Sequence, residues 1–556
     1  MKNLLTLLLL LASFQQLSAQ TADIILTGGN IITLKQKGNR AQAIAMKDGK
    51  ILAVGTAAEV AKYGGKTTQV IKLNGKTVIP GFNDVHQHPA PVYPFEAPYA
   101  LVSLDTVSSM KSLISLLKRK AAITPKGMLI RARGYDETIL GGQPIRDSLD
   151  KATTEHPLLV THVSGHLSAA NSYLMTRAGV DENTKDPAGG VFERYPGTNK
   201  PDGICKESAA SYLRRANITQ QPEPTAEQEM AGYRLYFNQV LASGITSIGD
   251  AGVSPDKVEI YKKLVAEKFP MRFNAFIRYD YVDQILSGKI QQIKTDFLRV
   301  ATVKVFHGNS LSGKTCWVTD PYDMVNPVTG KYDYYGVPPA RSQAGLDSLF
   351  FQIHNAGWQI ACHSNGDREM DMVIASIENA QKLNTRPDPR HRIEHCSLTN
   401  QNILNNIKKD GIIPVFHCYM FELGEKMLVY GSKRLEMLHP TQTAQQMGIT
   451  YALHSDAPVS TYPAMIRLGS AVTRKTKEGA VIGANQRIDA EDAIKAYCYG
   501  GAYTTYEENK KGSLITGQFA DMVVLEADPT KINPDDIMNI KVNTTIVNGK
   551  VVYKAK

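Results

Sequence analysis

Four apolar runs in this chain each end on or beside one polar residue able to hold a cation or move a proton, and helix-like stretches separate them. The runs are Val300-Ala-Thr-Val-Lys304-Val-Phe, Trp358-Gln-Ile-Ala-Cys-His363, His391-Arg-Ile-Glu-His395 and Gly448-Ile-Thr-Tyr-Ala-Leu-His-Ser-Asp456. From Asp367 to Leu383, Met370, Val373, Ile374 and Ile377 recur at helical spacing. Strand, polar tip, helix, strand is the grammar of a parallel α/β domain. In a closed (β/α)8 barrel the C-terminal strand ends meet at one mouth, so residues distant in sequence can build one site there.

An earlier segment, Pro80-Gly-Phe-Asn-Asp-Val-His86-Gln-His88, ends a short strand with imidazoles at i and i+2. Side chains so spaced leave a strand on the same side and can grip one cation. By strand alternation, His391, Ile393 and His395 share a face and Glu394 points away from it. Each tip also has a plainer reading. Lys304 could be a surface cation, His363 and His395 structural histidines, and Asp456 a helix cap ahead of Pro458.

Taken together, PGFNDVHQHP (80–89), GITSIGDAG (244–252), VKVF (303–306), GWQIACHSNGD (357–367), HRIEHC (391–396), HSDAPV (454–459) and GSLITGQFADMVVLEADP (512–529) resemble the amidohydrolase superfamily, and within it the YtcJ-like group, amidohydrolase family 3. The resemblance implies a TIM-type barrel and one or two divalent metals per chain, zinc first among the candidates. His86 and His88 would hold the more buried metal with Asp456, and His363 and His395 a second. Lys304 would bridge them as a carboxylated lysine, since an ammonium has no lone pair to give. Such metals polarise a carbonyl and generate hydroxide, with Asp456 moving the proton. The implied reaction is hydrolysis of an amide, N-acyl or N-formyl bond of a small molecule. A lactone or ester hydrolase and an inactive metal- and ligand-binding protein are the alternatives.

The chain departs from the group's pattern at the expected mouth. His454 stands where a glycine is usual, His307-Gly308-Asn309-Ser310 where Asp-Gly-Ser is common, and His417-Cys418 where Gln-Pro is common. These positions bear on substrate identity, or support the ligands by hydrogen bonds. Asp250, Arg278 and His166 are further substrate-contact candidates.

Residues 20–79 and 508–556 are strand-rich, with hairpin signals at Asp48-Gly49 and Asn74-Gly75, and are expected to form a small β-sandwich domain from both chain ends. Residues 80–507 would be the barrel, with an inserted subdomain at about 90–240 after its first strand, because so long a connection must carry structure. Residues 181–206, rich in Asp, Asn, Pro and Gly, read as an exposed loop. Lys2, the apolar run Leu4 to Ala12 and small residues to Ala19 form a signal-peptide pattern over residues 1–19, which points to a periplasmic or secreted protein. No later run is long enough to span a bilayer. The six cysteines lack a disulfide-framework spacing, and Cys362 and Cys396 read as packing residues. The net charge of +10 is spread without a long basic tract, which argues against nucleic acid as a partner. Homo-oligomers stay open.

Overall fold

A computed structural model describes residues 20–326 and 329–556. The expected signal segment, residues 1–19, lies outside them.

The barrel strands are β1 (Phe82–Gln87), β2 (Ile245–Val253), β3 (Arg272–Arg278), β4 (Leu298–Phe306), β5 (Gln359–Ser364), β6 (Arg392–His395), β7 (Ile413–Phe416) and β8 (Ala452–Leu453). They pair in chain order, every neighbour parallel. β8 is short, and the seam to β1 is closed beyond it by backbone bonds, Asp456 N to His86 O at 2.9 Å and His88 N to Ala457 O at 2.7 Å. Outward side chains such as Val303, Val305, Ile360 and Ile393 pack beneath the helices in one continuous apolar layer. Helix Asp367–Leu383 buries the predicted stripe Met370, Val373, Ile374 and Ile377 there.

The two chain ends share one eight-stranded sheet. Thr77–Pro80 pairs antiparallel with Met522–Leu525, and Ile31, Ile44, Met522, Val524 and Ile546 lie in one apolar cluster. The small domain expected from both chain ends is thus one hydrogen-bonded sheet that shares an apolar core. Asp48-Gly49 turns a hairpin, with both residues at positive φ. Asn74-Gly75 does not: it is a corner between two strands that both run parallel to Ile24–Ile32.

Between β1 and β2 the insertion builds a six-stranded sheet. Helix Met110–Ala122 presses Leu113 and Leu117 onto Ile130, Ala132 and Val160 on one face of it. The expected loop at 181–206 instead contains strands Gly190–Arg194 and Pro201–Glu207, paired through Phe192 and Cys205. Their buried apolar side chains other than proline, Phe192, Ile204 and Cys205, are too few among turn formers to show a period.

Candidate metal centre

His86 is fully buried at the mouth end of β1, and its Nδ1 lies 2.5 Å from Glu394 Oε2. The carboxylate accepts the Nδ1 proton, which fixes the tautomer and leaves the Nε2 lone pair facing the mouth. Glu394 is itself held by Arg392, through Nε at 2.7 Å and Nη2 at 3.0 Å. The guanidinium lies 4.9 Å from the centre of the Phe276 ring.

That contact corrects the alternation drawn for β6. Arg392 and Glu394 take the inward face, while Ile393 packs outside and His391 bonds His354 at 2.8 Å. His395 has outward parity but reaches the mouth because its backbone turns left-handed, with φ +71°, followed by Cys396 at +45°. Its ring centre is then 4.5 Å from that of His363 and 4.9 Å from that of His86.

His363, at the end of β5, has its Nε2 3.0 Å from the Asn309 carbonyl, which accepts that proton and leaves Nδ1 unprotonated. Lys304 projects inward from β4, fully buried, with Nζ 3.1 Å from His86 Nε2. Burial pushes its ammonium down to about 8.

Asp456 owes its place to the seam bonds and to its own left-handed φ of +56°. No helix begins there, so it does not serve as a cap. Its Oδ1 lies 3.2 Å from His88 Nε2 and 3.4 Å from His86 Nε2, aligned as a hydrogen bond to neither. Burial raises its pKa, but His88, His454 and Lys304 more than offset this and hold it below the usual carboxylate range.

Lone-pair atoms of His86, His395 and Asp456 lie within 4.8 Å of one another. Burial above all drives the basicity of His86, His363 and His395 well below normal, so they are neutral at pH 7. Neutral imidazoles and a buried carboxylate oxygen without an aligned donor are the donor set a divalent cation requires. The residues fit such a cation, with Lys304 the one proton-bearing cation in their midst.

The remaining candidates divide. His454 stacks at 4.8 Å on His86, with neither ring nitrogen hydrogen-bonded, and burial lowers its pKa to about 3. His417 bonds the Ser455 carbonyl through Nε2 at 2.7 Å and brings Nδ1 within 4.0 Å of Asp456 Oδ2. His395, His417 and His454 thus form a second group whose ligand atoms lie within 4.8 Å. His166 pairs with Glu207 at 2.7 Å, its ring 5.1 Å from His363, and Glu207 outweighs burial to raise its pKa. His307 is buried with both ring nitrogens unbonded.

Two candidates lie elsewhere. Asp250 faces outward from the barrel and bonds Lys257 Nζ and Tyr261 Oη, each at 2.6 Å, both on helix Pro255–Ala266. Arg278 turns to Asp280 and Tyr281 on the surface. Sequence reasoning missed Glu394 and the Asn309 carbonyl. The only cue for Glu394 was a charged residue inside an apolar run.

Above the mouth, a cavity of about 750 Å³ reaches from His88, Lys304, His363 and Asp456 to the inserted sheet. The insertion is fastened there by Lys426, nearly buried, with Nζ 2.8 Å from Asp136 Oδ1 and 3.2 Å from Glu137 Oε2.

A parallel barrel with a metal-competent cluster and a cavity at its C-terminal mouth defines a (β/α)8-barrel protein of the metal-enzyme type. A model of the amidohydrolase family matches residues 69–553, and the chain belongs to that family. It is 25% identical to the putative amidohydrolase YtcJ of Bacillus subtilis (strain 168), covering 95% of this chain and 98% of that protein. It is also 25% identical to the N-substituted formamide deformylase of Arthrobacter pascens, over 96% of this chain and 99% of that one. An uncharacterized metal-dependent hydrolase from Pyrococcus furiosus shares the fold, with a TM-score of 0.67 at 22% identity, covering 91% of this chain and all of that one. All six cysteines are buried and free. Among the described residues, no helix is long and apolar enough to cross a membrane.

Proposed function

We propose that this protein is an exported amidohydrolase that cleaves an amide, N-acyl or N-formyl carbon–nitrogen bond of a small molecule. The observation that carries the reading is the convergence of His86, His395 and Asp456 within 4.8 Å, with Asp456 lining the cavity. The similarity to a formamide deformylase supports the bond type. His86, His88 and Asp456 would hold one divalent cation, zinc by its fit to imidazole and carboxylate, and His363 and His395 a second. Lys304 would join the two as a carbamate, a modification that starts from the neutral amine its burial favours. When bound, such a cation polarises a carbonyl and acidifies water.

The chain's own residues do the rest. Glu394 and Asn309 orient the imidazoles, the insertion walls the cavity above the mouth, and Asp456 takes a proton and returns it to the leaving nitrogen. Zinc- or manganese-loaded protein tested on N-formyl amines, N-acyl amines and lactones decides the bond. Turnover of the amides is expected. A preference for lactones reassigns the protein to ester hydrolysis, and ligand binding with no turnover of any member contradicts an enzyme. Metal content should fall in Lys304→Ala, and an unchanged content contradicts the bridge. Export rests on residues 1–19, and amino-terminal sequencing of secreted protein should begin at Gln20.

A further inference from the structure

The inserted strand Ile130–Tyr135 alternates its side chains between two environments. Ile130 and Ala132 enter the apolar cluster under helix Met110–Ala122, so Arg131 and Arg133 take the opposite face, toward the barrel. The paired strand sets Leu159 beside Arg131 and Thr161 beside Arg133, and all four line the cavity. Arg131 Nε is bonded to Gln221 at 3.0 Å, and Arg214 stands exposed on the cavity wall.

Arg133 is different. Its Nε is buried without a partner, and among the described residues its guanidinium has no hydrogen bond and no ion pair. The lining carboxylate of Glu207 cannot serve it, being bonded to His166, Thr315 and Ser310. Asp456, across the cavity, is the carboxylate whose charge bears most on it. The half-buried guanidinium thus lines the cavity with its fork unengaged, and that fork matches a carboxylate. Leu129, Leu159, Leu213 and Ile218 give the same cavity an apolar wall.

We propose that Arg133, with Arg131 and Arg214 as outer cations, binds a carboxylate on the substrate, so that the substrate is an amide bearing one carboxylate and an apolar portion. Glu207 and Asp456 on the same cavity wall offset part of the arginines' positive charge, which favours a carboxylate over a doubly charged phosphate. This inference rests on the proposed amide hydrolysis only for the identity of the bond cleaved; the anion subsite stands on the insertion's own residues.

The test uses zinc-loaded full-length protein and N-formylleucine, N-formylglycine and N-formyl-6-aminohexanoate, each against its neutral carboxamide. At least one carboxylate should be preferred by about 30-fold in kcat/KM, mainly through KM. Arg133→Met should erase the preference by raising the KM of the carboxylate substrate, with metal content unchanged. Arg133→Lys, the variant closest to native for folding, should retain part of it. Amide turnover without a preference, or a preference surviving in Arg133→Met, overturns the subsite and leaves the hydrolase reading intact. Calorimetric binding of hexanoate is the second measurement. Binding that depends on Arg133 supports the subsite even if no amide is cleaved, in which case the hydrolase reading alone fails. No Arg133-dependent binding, or tighter binding of hexylphosphonate than of hexanoate, overturns the carboxylate assignment.

Discussion

Glu394 Oε2 lies 2.5 Å from His86 Nδ1, and this contact decides which nitrogen of His86 is free at the barrel mouth. Replacing Glu394 by Gln should weaken metal binding by about 10–100-fold, because the amide cannot match the carboxylate as acceptor. It also leaves the fully buried Arg392 without its counter-charge, at a cost of about 3–5 kcal/mol. Chelator competition and urea unfolding measure the two effects separately.

Asp456→Asn should keep the seam bonds, which run through the backbone, and lose the proton acceptor. Turnover should fall by about 10²–10⁴-fold with a stability change under about 1 kcal/mol. A steady-state assay on the best formamide substrate checks this.

His307 provides a pH signature. Burial lowers its pKa to about 4. Between pH 4 and the ordinary value of 6.5 the unfolded chain therefore binds a proton that the folded chain refuses. The His307 contribution is fully present above pH 6.5 and is lost as pH falls toward 4, by up to about 1.4 kcal/mol per pH unit. His307→Leu should flatten that limb of the stability profile, measured by urea unfolding at several pH values.

The clamp between Lys426 and the insertion should be separable from chemistry. Lys426→Met removes one partner each from Asp136 and Glu137, both partly exposed and still bonded to Thr138 and His162, at a cost of about 1–3 kcal/mol. Hydrogen exchange should quicken in strands Ile130–Tyr135 and Leu158–His162 while the barrel strands keep their protection.

The barrel was legible because each inward tip closes an apolar run, as with His363 after Ile360, Ala361 and Cys362. His86 and Lys304 were legible for the same reason, and the structure puts them 3.1 Å apart. Glu394 was not. Regular alternation sends it away from His395, and only the left-handed backbone at His395 brings both to the mouth. Asp250 and Arg278 resemble site residues in one dimension, but their partners lie on the next helix and turn, at spacings a strand pattern does not encode. The insertion's strands at 190–194 and 201–207 were hidden by Pro and Gly, which mark turns whether or not strands lie between them.

The account's central claim is that His86, His88, His363, His395 and Asp456 are held together to bind the metal on which hydrolysis depends. Metal content per folded chain, measured after zinc loading and dialysis for the native protein and for His395→Ala, tests it most directly. At least one tightly held ion per native chain, with reduced content in the variant, is the predicted result. A native protein that retains none, or a variant that retains as much, would contradict it.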